Sequence, residues 1–227
     1  MDPMAHGVLI LLVGEENKKR KEYEFCTKDY TWEMVLGWQT DTYDILGMVS
    51  SPVECAACKW SNDDELTQQV NQIVSKQIGK QVQKYPPYSS VRVNGKLLFQ
   101  WAKENKLDSI EIPSKTIEIF SLSLKSITKI PLSSFISQTH SRIDGISPQN
   151  NGKFREPEIK RKWDQVLLAN DPNMDLTVLT FNAFVSHGAY VRSIAQDIGL
   201  QLGTGAVVVD LLRTRVGEHL LDQSLRV

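Results

Sequence analysis

The spacing of apolar and polar residues along the chain predicts strands and helices in an irregular order. An apolar run at residues 7–13 has the length of a strand that is buried on both faces. Alternating patterns predict strands at 30–36 and 117–124, residues 176–185 also predict a strand, and residues 207–216 are expected to complete the core. Helical spacing predicts helices at 64–78, 96–106 and 157–168, and a turn from residue 188 into a helix that ends at 202. This interleaving favours an α+β fold with a mixed sheet.

Three segments between these elements have a different composition. Residues 15–26, with four basic residues in a row at 18–21, predict a solvated loop or helix face, and a phosphate-contacting patch is the alternative. Two prolines between Tyr85 and Tyr88 predict an extended, rigid loop, because proline disrupts a helix interior. Residues 126–157 are rich in Ser, Gln, Asn and Gly and predict a mobile insertion within a variable segment at about 126–175.

Composition and charge change this picture little. Hydrophobic residues make up 41% and charged residues 23% of the 227 residues, which is ordinary for a globular chain with a core. The formal net charge of −1 excludes a chain-wide electrostatic signature of nucleic-acid binding, so an RNA-binding surface would have to be local. No apolar stretch approaches the roughly 20 residues that span a bilayer, and the N-terminus lacks the pattern of a secretion signal, so we expect a cytosolic protein.

The three cysteines and four histidines are weak evidence for metal or redox chemistry. Cys55 and Cys58 form one C-x-x-C pair, whereas a zinc site requires two more ligands at suitable spacing. Cys26 and the histidines are scattered singly along the chain. We therefore interpret the cysteines as incidental thiols. A zinc or redox protein remains an alternative that metal analysis together with Cys55→Ala would decide.

Four short motifs stand out along the chain. They are M-D-P-M-A-H-G-V-L at 1–9, K-D-Y at 28–30 with T-D-T at 40–42, P-P-Y-S-S at 86–90 with G-K at 95–96, and S-H-G-A-Y-V-R-S-I at 186–194 with R-T-R-V-G at 213–217. In this order they resemble the motifs of the TruB family of tRNA pseudouridine synthases. Each motif alone is a weak signal, but four in the same order over nearly the whole chain are a strong one.

The resemblance implies a catalytic domain with a mixed, mainly antiparallel sheet and flanking helices, which needs neither metal nor cofactor. The family isomerises the T-loop uridine at position 55 of tRNA: it breaks the N-glycosidic bond, rotates the uracil and rejoins it through carbon. By the resemblance, Asp2 is the catalytic carboxylate and Arg192 its ion-pair partner. Tyr30 is implied to stack on the base and take part in proton transfer, and Tyr190 and Leu211 to line the base pocket.

The implied partner is the T-arm stem-loop of tRNA. We expect the chain to bind it as a monomer and not to associate with a membrane. A stacked uridine has to be flipped out of the loop, which costs a few kcal/mol. Aromatic faces and a basic rim offset that cost, and the rim candidates are Lys18, Lys19, Arg20, Lys21, Lys28, Arg213 and Arg215. The T-D-T segment at 40–42 is expected to shape the active-site loop rather than contact the base.

Several features depart from the family pattern. The family begins about 40 residues earlier, with a strand of the sheet and a G-H-x-G-T loop, so the resemblance implies a catalytic domain without that part and without a C-terminal PUA module. Met1 occupies the position of a family leucine, which suggests a leucine codon assigned as the start. Ala189 and Leu212 replace a threonine and an arginine. The alternative function is an inactive fragment or RNA-binding remnant of such an enzyme.

Overall fold

A computed structural model describes residues 2–50, 60–146 and 154–225. The helices are α1 (Arg20–Glu24), α2 (Asp63–Gln77), α3 (Leu98–Lys103), α4 (Leu132–Ile146), α5 (Glu156–Leu168) and α6 (Val191–Leu202). The strands are β1 (His6–Gly7), β2 (Lys28–Leu36), β3 (Gly79–Lys84), β4 (Arg92–Val93), β5 (Lys96–Leu97), β6 (Ser114–Pro131), β7 (Asp175–Val185), β8 (Ala206–Val216) and β9 (His219–Leu220). Within these ranges, no helix is long and apolar enough to cross a bilayer.

One large sheet forms the centre of the protein. Its strands lie in the order β1-β8-β2-β7-β6-β3, and β9 pairs with β8. The β1–β8 pair is parallel and the other pairs are antiparallel. The expected α+β fold with a mixed, mainly antiparallel sheet and flanking helices is therefore confirmed.

The sheet buries apolar side chains on both faces, because successive side chains of a strand point to opposite sides. Trp32 of β2 stacks on Phe181 of β7 at a centroid distance of 5.2 Å, in a cluster that also contains the apolar faces of α2 and α6. Val35 of β2 belongs to a second cluster, with Phe135 of α4 and Trp163 of α5. We call the side of the sheet with the first cluster the α6 face and the side with the second cluster the α5 face. Tyr30, Leu211 and the helix α6, which carries Arg192, lie on the α6 face.

The predicted buried strand at residues 7–13 is wrong. Only His6 and Gly7 pair with β8, at the edge of the sheet, and Leu11 and Val13 are 75% and 82% exposed. Val8, by contrast, is buried. A continuous apolar run indicates a strand only if neighbours cover both of its faces, and beyond Val8 this run has left the sheet.

The segment expected to be a mobile insertion contains regular structure. Strand β6 continues to Pro131, the helix α4 follows it directly, and Leu132, Phe135 and Ile143 of α4 are buried. The composition did not indicate α4, because most of the polar residues lie on its outer side and dilute the apolar pattern. Whether 126–175 is variable stays a prediction. The C-x-x-C pair at Cys55 and Cys58 lies outside the described residues.

Candidate functional site

Asp2 lies in a tight turn that the β1 pairing fixes against the sheet. The Ala5 amide donates to the Asp2 carbonyl oxygen at 3.0 Å, and the Val8 amide donates to the Arg213 carbonyl oxygen at 2.9 Å. Gly7 has φ +103°, and a side chain there would collide with the Arg213 carbonyl oxygen. Glycine is therefore required at this position, and it brings the turn with Asp2 next to β8.

Arg192, the second residue of α6, forms a two-point ion pair with Asp2. Its Nε donates to Oδ2 of Asp2 at 2.7 Å and its Nη2 donates to Oδ1 at 2.9 Å. The Arg192 side chain is 3% exposed, whereas that of Asp2 is 22% exposed. The pair therefore orients the carboxylate from the protein side and leaves part of it open to solvent.

A second carboxylate, Asp44, lies behind Arg192. Its Oδ2 is 3.5 Å from Nη1 of Arg192, which also donates to the Thr42 carbonyl oxygen at 2.6 Å. The Asp44 side chain is buried, and burial raises its pKa to about 6, although Arg192 and the Thr42 hydroxyl act in the opposite direction. Burial lowers the pKa of Arg192, but the Asp44 and Asp2 carboxylates outweigh it and the net shift is upward.

Sequence reasoning missed Asp44. The only available signal was an aspartate two residues after the T-D-T segment at 40–42, in a turn-rich stretch. That pattern is typical of surface loops as well, because aspartate side chains accept hydrogen bonds from nearby backbone amides in turns. Nothing local indicated that this aspartate would be buried against an arginine distant in the chain.

The loop from Thr40 to Met48 is held together by its own side chains. The Thr40 hydroxyl donates to the Asp44 carbonyl oxygen at 2.7 Å, and the Met48 amide donates to Oδ1 of Asp41 at 2.7 Å. A side chain at Gly47 would collide with Thr42. The T-D-T segment therefore shapes this loop, and the expectation that it does so instead of contacting the base stays a prediction.

Arg155, which precedes α5, contacts the same loop from the α5 face. It donates to both oxygens of Asp41, at 2.8 and 3.3 Å, and its guanidinium lies 4.8 Å from the centre of the Tyr88 ring. The Tyr88 hydroxyl donates to Asp41 at 3.0 Å, and the Tyr88 carbonyl oxygen accepts from Arg192 at 3.3 Å. Tyr88 thus links the two arginines.

The two candidate tyrosines lie within the electrostatic reach of Asp2. Burial raises the pKa of Tyr30, and the Asp2 carboxylate adds to the shift while Arg213 opposes it. Burial also raises the pKa of Tyr190, again with Asp2 adding to it. Both phenols are therefore neutral at physiological pH. The backbone of Tyr190 exchanges two hydrogen bonds with the Gln83 side chain, at 2.8 and 3.1 Å.

The remaining candidates differ in exposure. Leu211 is buried in the core of the α6 face together with Trp32. Arg213 donates to the Val8 carbonyl oxygen at 2.7 Å, and Arg215 pairs with Asp29. Of the basic run at 18–21, three residues form ion pairs with glutamates of the same segment. Much of the expected basic rim therefore has anionic partners already.

The described residues contain no group of three or more His, Cys, Asp and Glu side chains that could hold a metal ion. Apart from Asp2 and Asp44, the site consists of arginine, tyrosine and backbone carbonyl groups. Such a site can orient and stabilise an ionised carboxylate and receive a planar ring between aromatic side chains.

Comparison with known proteins gives consistent results. A family model described as "TruB family pseudouridylate synthase (N terminal domain)" matches residues 1–141. The tRNA pseudouridine synthase B of Thermotoga maritima is 28% identical over 227 residues, which is 100% of this chain and 55% of that protein. The tRNA pseudouridine synthase B of Deinococcus deserti is 31% identical over 224 residues, which is 96% of this chain and 64% of that protein.

The match in length is incomplete. The chain spans little more than half of the Thermotoga protein. The crystal structure of a Cbf5-Nop10-Gar1 complex matches 96% of this chain and 40% of its own chain, with a TM-score of 0.48 and 17% identity.

Proposed function

Because the chain belongs to the TruB family of pseudouridylate synthases, we propose that it isomerises a uridine in the T-loop of tRNA, position 55 in tRNA numbering, to pseudouridine. The reaction breaks the bond between N1 of uracil and C1′ of the ribose and joins C5 to C1′. The proton that leaves C5 passes to solvent and N1 takes up a proton, so the product is an isomer of the substrate.

The ion pair between Asp2 and Arg192 carries this proposal. A carboxylate that acts on the ribose or the base as a nucleophile, or stabilises charge there, has to be ionised, aimed and accessible. Arg192 donates two hydrogen bonds to Asp2 and is itself buried against Asp44. The carboxylate of Asp2 remains partly exposed. The aim and the partial exposure of this carboxylate support Asp2 as the proposed catalytic group.

The tyrosines are proposed to receive the base. Tyr30 and Tyr190 are neutral phenols near Asp2, because burial raises both of their pKa values. Their rings offer faces on which a flipped uracil stacks, and the Tyr30 hydroxyl is the candidate for proton transfer at C5. Leu211 is buried in the cluster against which Tyr30 packs, and it is proposed to line the base pocket.

The proposed partner is the T-arm stem-loop of tRNA, bound in the cytoplasm by a single copy of the chain. No cofactor or metal is needed for this chemistry, because the carboxylate and the neighbouring donors supply nucleophile, orientation and charge stabilisation. The energy for flipping the uridine comes from stacking and from contacts to phosphates.

The test is release of tritium from C5 of labelled uridine in a tRNA T-arm. We expect release by the parent chain and none above background by Asp2→Asn, since an amide is neither a nucleophile nor an anion. Asp144→Asn is the control, because Asp144 lies exposed on α4 and pairs with Lys160. We expect it to release tritium like the parent.

Two other outcomes would change the proposal. Release by Asp2→Asn at the parent rate would remove Asp2 from the chemistry. Binding of the T-arm by the parent without any release would favour the RNA-binding remnant over the enzyme.

A further inference from the structure

Lys115 of β6 reaches the aromatic part of the candidate site. It lies opposite Gln83 in the β3–β6 register. Its Nζ is 4.7 Å from the centre of the Tyr85 ring and 4.7 Å from the centre of the Tyr190 ring. Gln83 is also the side chain that hydrogen-bonds the backbone of Tyr190. The ammonium group is thus next to one of the tyrosines proposed to receive the base.

This cation lacks an anionic neighbour in the part of the chain that the structure describes. Lys115 forms no ion pair or side-chain hydrogen bond there, and burial alone lowers its pKa. Lys129, on the same strand, lies near Asp63 and donates to the Thr177 hydroxyl at 2.8 Å. A half-buried ammonium whose neighbours are only ring faces keeps its three hydrogen-bond donors unused. Such a group is stabilised by any anion that reaches it.

The turn before Tyr190 leaves room for the ammonium. Gly188 has φ +78°, and a side chain at this position would come within 2.7 Å of the Lys115 Nζ. Glycine permits the left-handed backbone conformation of this turn, which lies directly beside the ammonium. The ammonium therefore lies next to the turn that leads into Tyr190.

We propose that Lys115 binds a backbone phosphate of the RNA at the nucleotide whose base enters the site beside Tyr190. This inference rests on the proposed function and adds a contact that the sequence motifs did not indicate. It assigns to Lys115 the role of a substrate-binding residue.

Charge and geometry favour a phosphate over the base as the ligand. Uracil is neutral and its flat ring fits the tyrosine faces, whereas each nucleotide brings one anionic phosphate. Lysine binds phosphate as a compact point charge with several donors. The ammonium lies over one face of the Tyr190 ring, 4.7 Å from its centre, and a base that stacks on the other face of this ring carries its own backbone phosphate to within a few ångströms of the ammonium. The contact holds the flipped nucleotide next to the paired strands β3 and β6.

The experiment measures binding of a tRNA T-arm stem-loop as a function of salt concentration. Counter-ion release makes the logarithm of the association constant fall linearly with the logarithm of salt, with a slope set by the number of phosphates neutralised. The variants are Lys115→Met, Lys115→Gln and Lys115→Arg. Lys129→Met is the matched control, because it removes the same charge from the same strand. Thermal unfolding and tritium release are measured on each protein.

For Lys115→Met and Lys115→Gln we expect Kd to rise roughly tenfold at low salt and the salt slope to fall by about 0.7, as for the loss of one phosphate contact to a single strand. Lys115→Arg should restore most of the slope and the affinity. Lys129→Met should keep the slope of the parent. The maximal rate of tritium release at saturating RNA should change less than the RNA concentration needed to saturate.

Three results would overturn the inference. A parental salt slope in Lys115→Met and Lys115→Gln would show that no phosphate is bound there. An unchanged slope combined with a lower maximal rate would mean that the lysine only supports the two tyrosine rings. Failure of the parent itself to bind the T-arm would remove the proposed function and this inference together, whereas the first two results leave the proposed function standing.

Discussion

Two arginines contact the loop from Thr40 to Met48, one in α6 and one directly before α5, and these helices pack on different faces of the sheet. Arg192, on the α6 face, is 3% exposed and contacts the Asp2 and Asp44 carboxylates. Arg155, on the α5 face, is 24% exposed and pairs with Asp41 alone. Both form two-point ion pairs, yet only Arg192 is removed from water.

The difference shows how one loop receives two kinds of support. A buried arginine with two carboxylates has no alternative partner in water, so its position is tightly fixed. A half-exposed pair is weakened by solvent and contributes mainly geometry. Arg155 nevertheless has φ +62°, which is uncommon for a residue other than glycine, and its side chain is anchored at both Asp41 and the Tyr88 ring. On this interpretation, the buried pair of Arg192 and Asp2 supplies the charge at the candidate site. The half-exposed pair of Arg155 and Asp41 aligns the loop from Thr40 to Met48.

The sharpest test of the comparison is Arg192→Met. Removing the buried cation leaves Asp44 buried without its main partner, so the free energy of unfolding should fall by about 3–5 kcal/mol. Tritium release should fall on the order of 10³-fold, because Asp2 loses its orientation. Arg192→Lys keeps the charge without the two-point geometry and should be more stable than Arg192→Met but still strongly impaired. Parental stability of Arg192→Met in a denaturant titration would contradict the comparison.

The pH dependence tests the same buried region at Asp44. Burial raises the pKa of this carboxyl to about 6, so that it takes up a proton as the pH falls through 6 and Arg192 loses one anionic partner. We expect kcat to fall between pH 7 and pH 5, with an apparent pKa near 6. Asp44→Asn should lack this acidic limb and have lower activity throughout. Asp144→Asn, with an exposed carboxyl, should keep the parental profile.

The same pKa shift affects stability with the opposite sign. An aspartate whose pKa is raised on folding contributes stability that is fully present below its unfolded value and is lost as the pH rises through the folded value. The contribution of Asp44 should therefore decrease between about pH 4 and pH 6. The difference in free energy of unfolding between the parent and Asp44→Asn, measured across this range, tests the sign. If this difference does not change with pH, Asp44 does not titrate between about pH 4 and pH 6 and the prediction is wrong.

A smaller effect is expected for Arg155→Met on the α5 face. Loss of a half-exposed pair should lower the free energy of unfolding by about 1 kcal/mol. The maximal rate should drop by roughly tenfold, because Asp41 belongs to the loop that contacts Arg192 and the Tyr88 carbonyl oxygen accepts from Arg192. Arg155→Lys should recover stability better than rate, since it lacks the planar group that lies on the Tyr88 ring. Equal losses of stability in Arg155→Met and Arg192→Met would remove the distinction between the two regions.

The smallest effect is predicted for a third pair of the same geometry, Arg215 with Asp29. Nε donates to Oδ2 at 2.7 Å and Nη2 to Oδ1 at 3.1 Å, but both side chains are about one third exposed, at 30% and 32%. Arg215→Met should change the free energy of unfolding by less than about 1 kcal/mol. The free energies of unfolding of Arg192→Met, Arg155→Met and Arg215→Met should then follow the burial of the three ion pairs and not their hydrogen-bond lengths. Denaturant titrations of the three variants side by side measure this order.

Local periodicity predicted most of the regular elements. The alternation at 30–36 predicted β2, the strand predicted at 176–185 is β7, and the apparent helix at 157–168 is α5. These patterns are readable because each strand or helix turns its own apolar residues toward a core. Prediction failed for the run at 7–13 and for α4, where burial depends on which neighbours cover the segment.

For the candidate site, the motifs pointed to Asp2, Tyr30, Tyr190 and Arg192, and the structure brings these residues together. Their roles stay predictions until the variants are measured. The motifs did not indicate Asp44, Arg155 or Lys115. Each of these three gains its significance from a partner far away in the chain, so its local sequence resembles that of an ordinary surface residue.

The sequence by itself determined the order of the elements, the family resemblance and the carboxylate at its centre. Only the tertiary structure decided which charges are buried, which are paired and which remain available to a ligand. The reason is physical: a propensity or an alternation is encoded within one segment, whereas desolvation and ion pairing arise only where distant segments meet. Arg192 and Asp2, separated by 190 positions along the chain, become one site because α6 and the turn before β1 meet on the same face of the sheet.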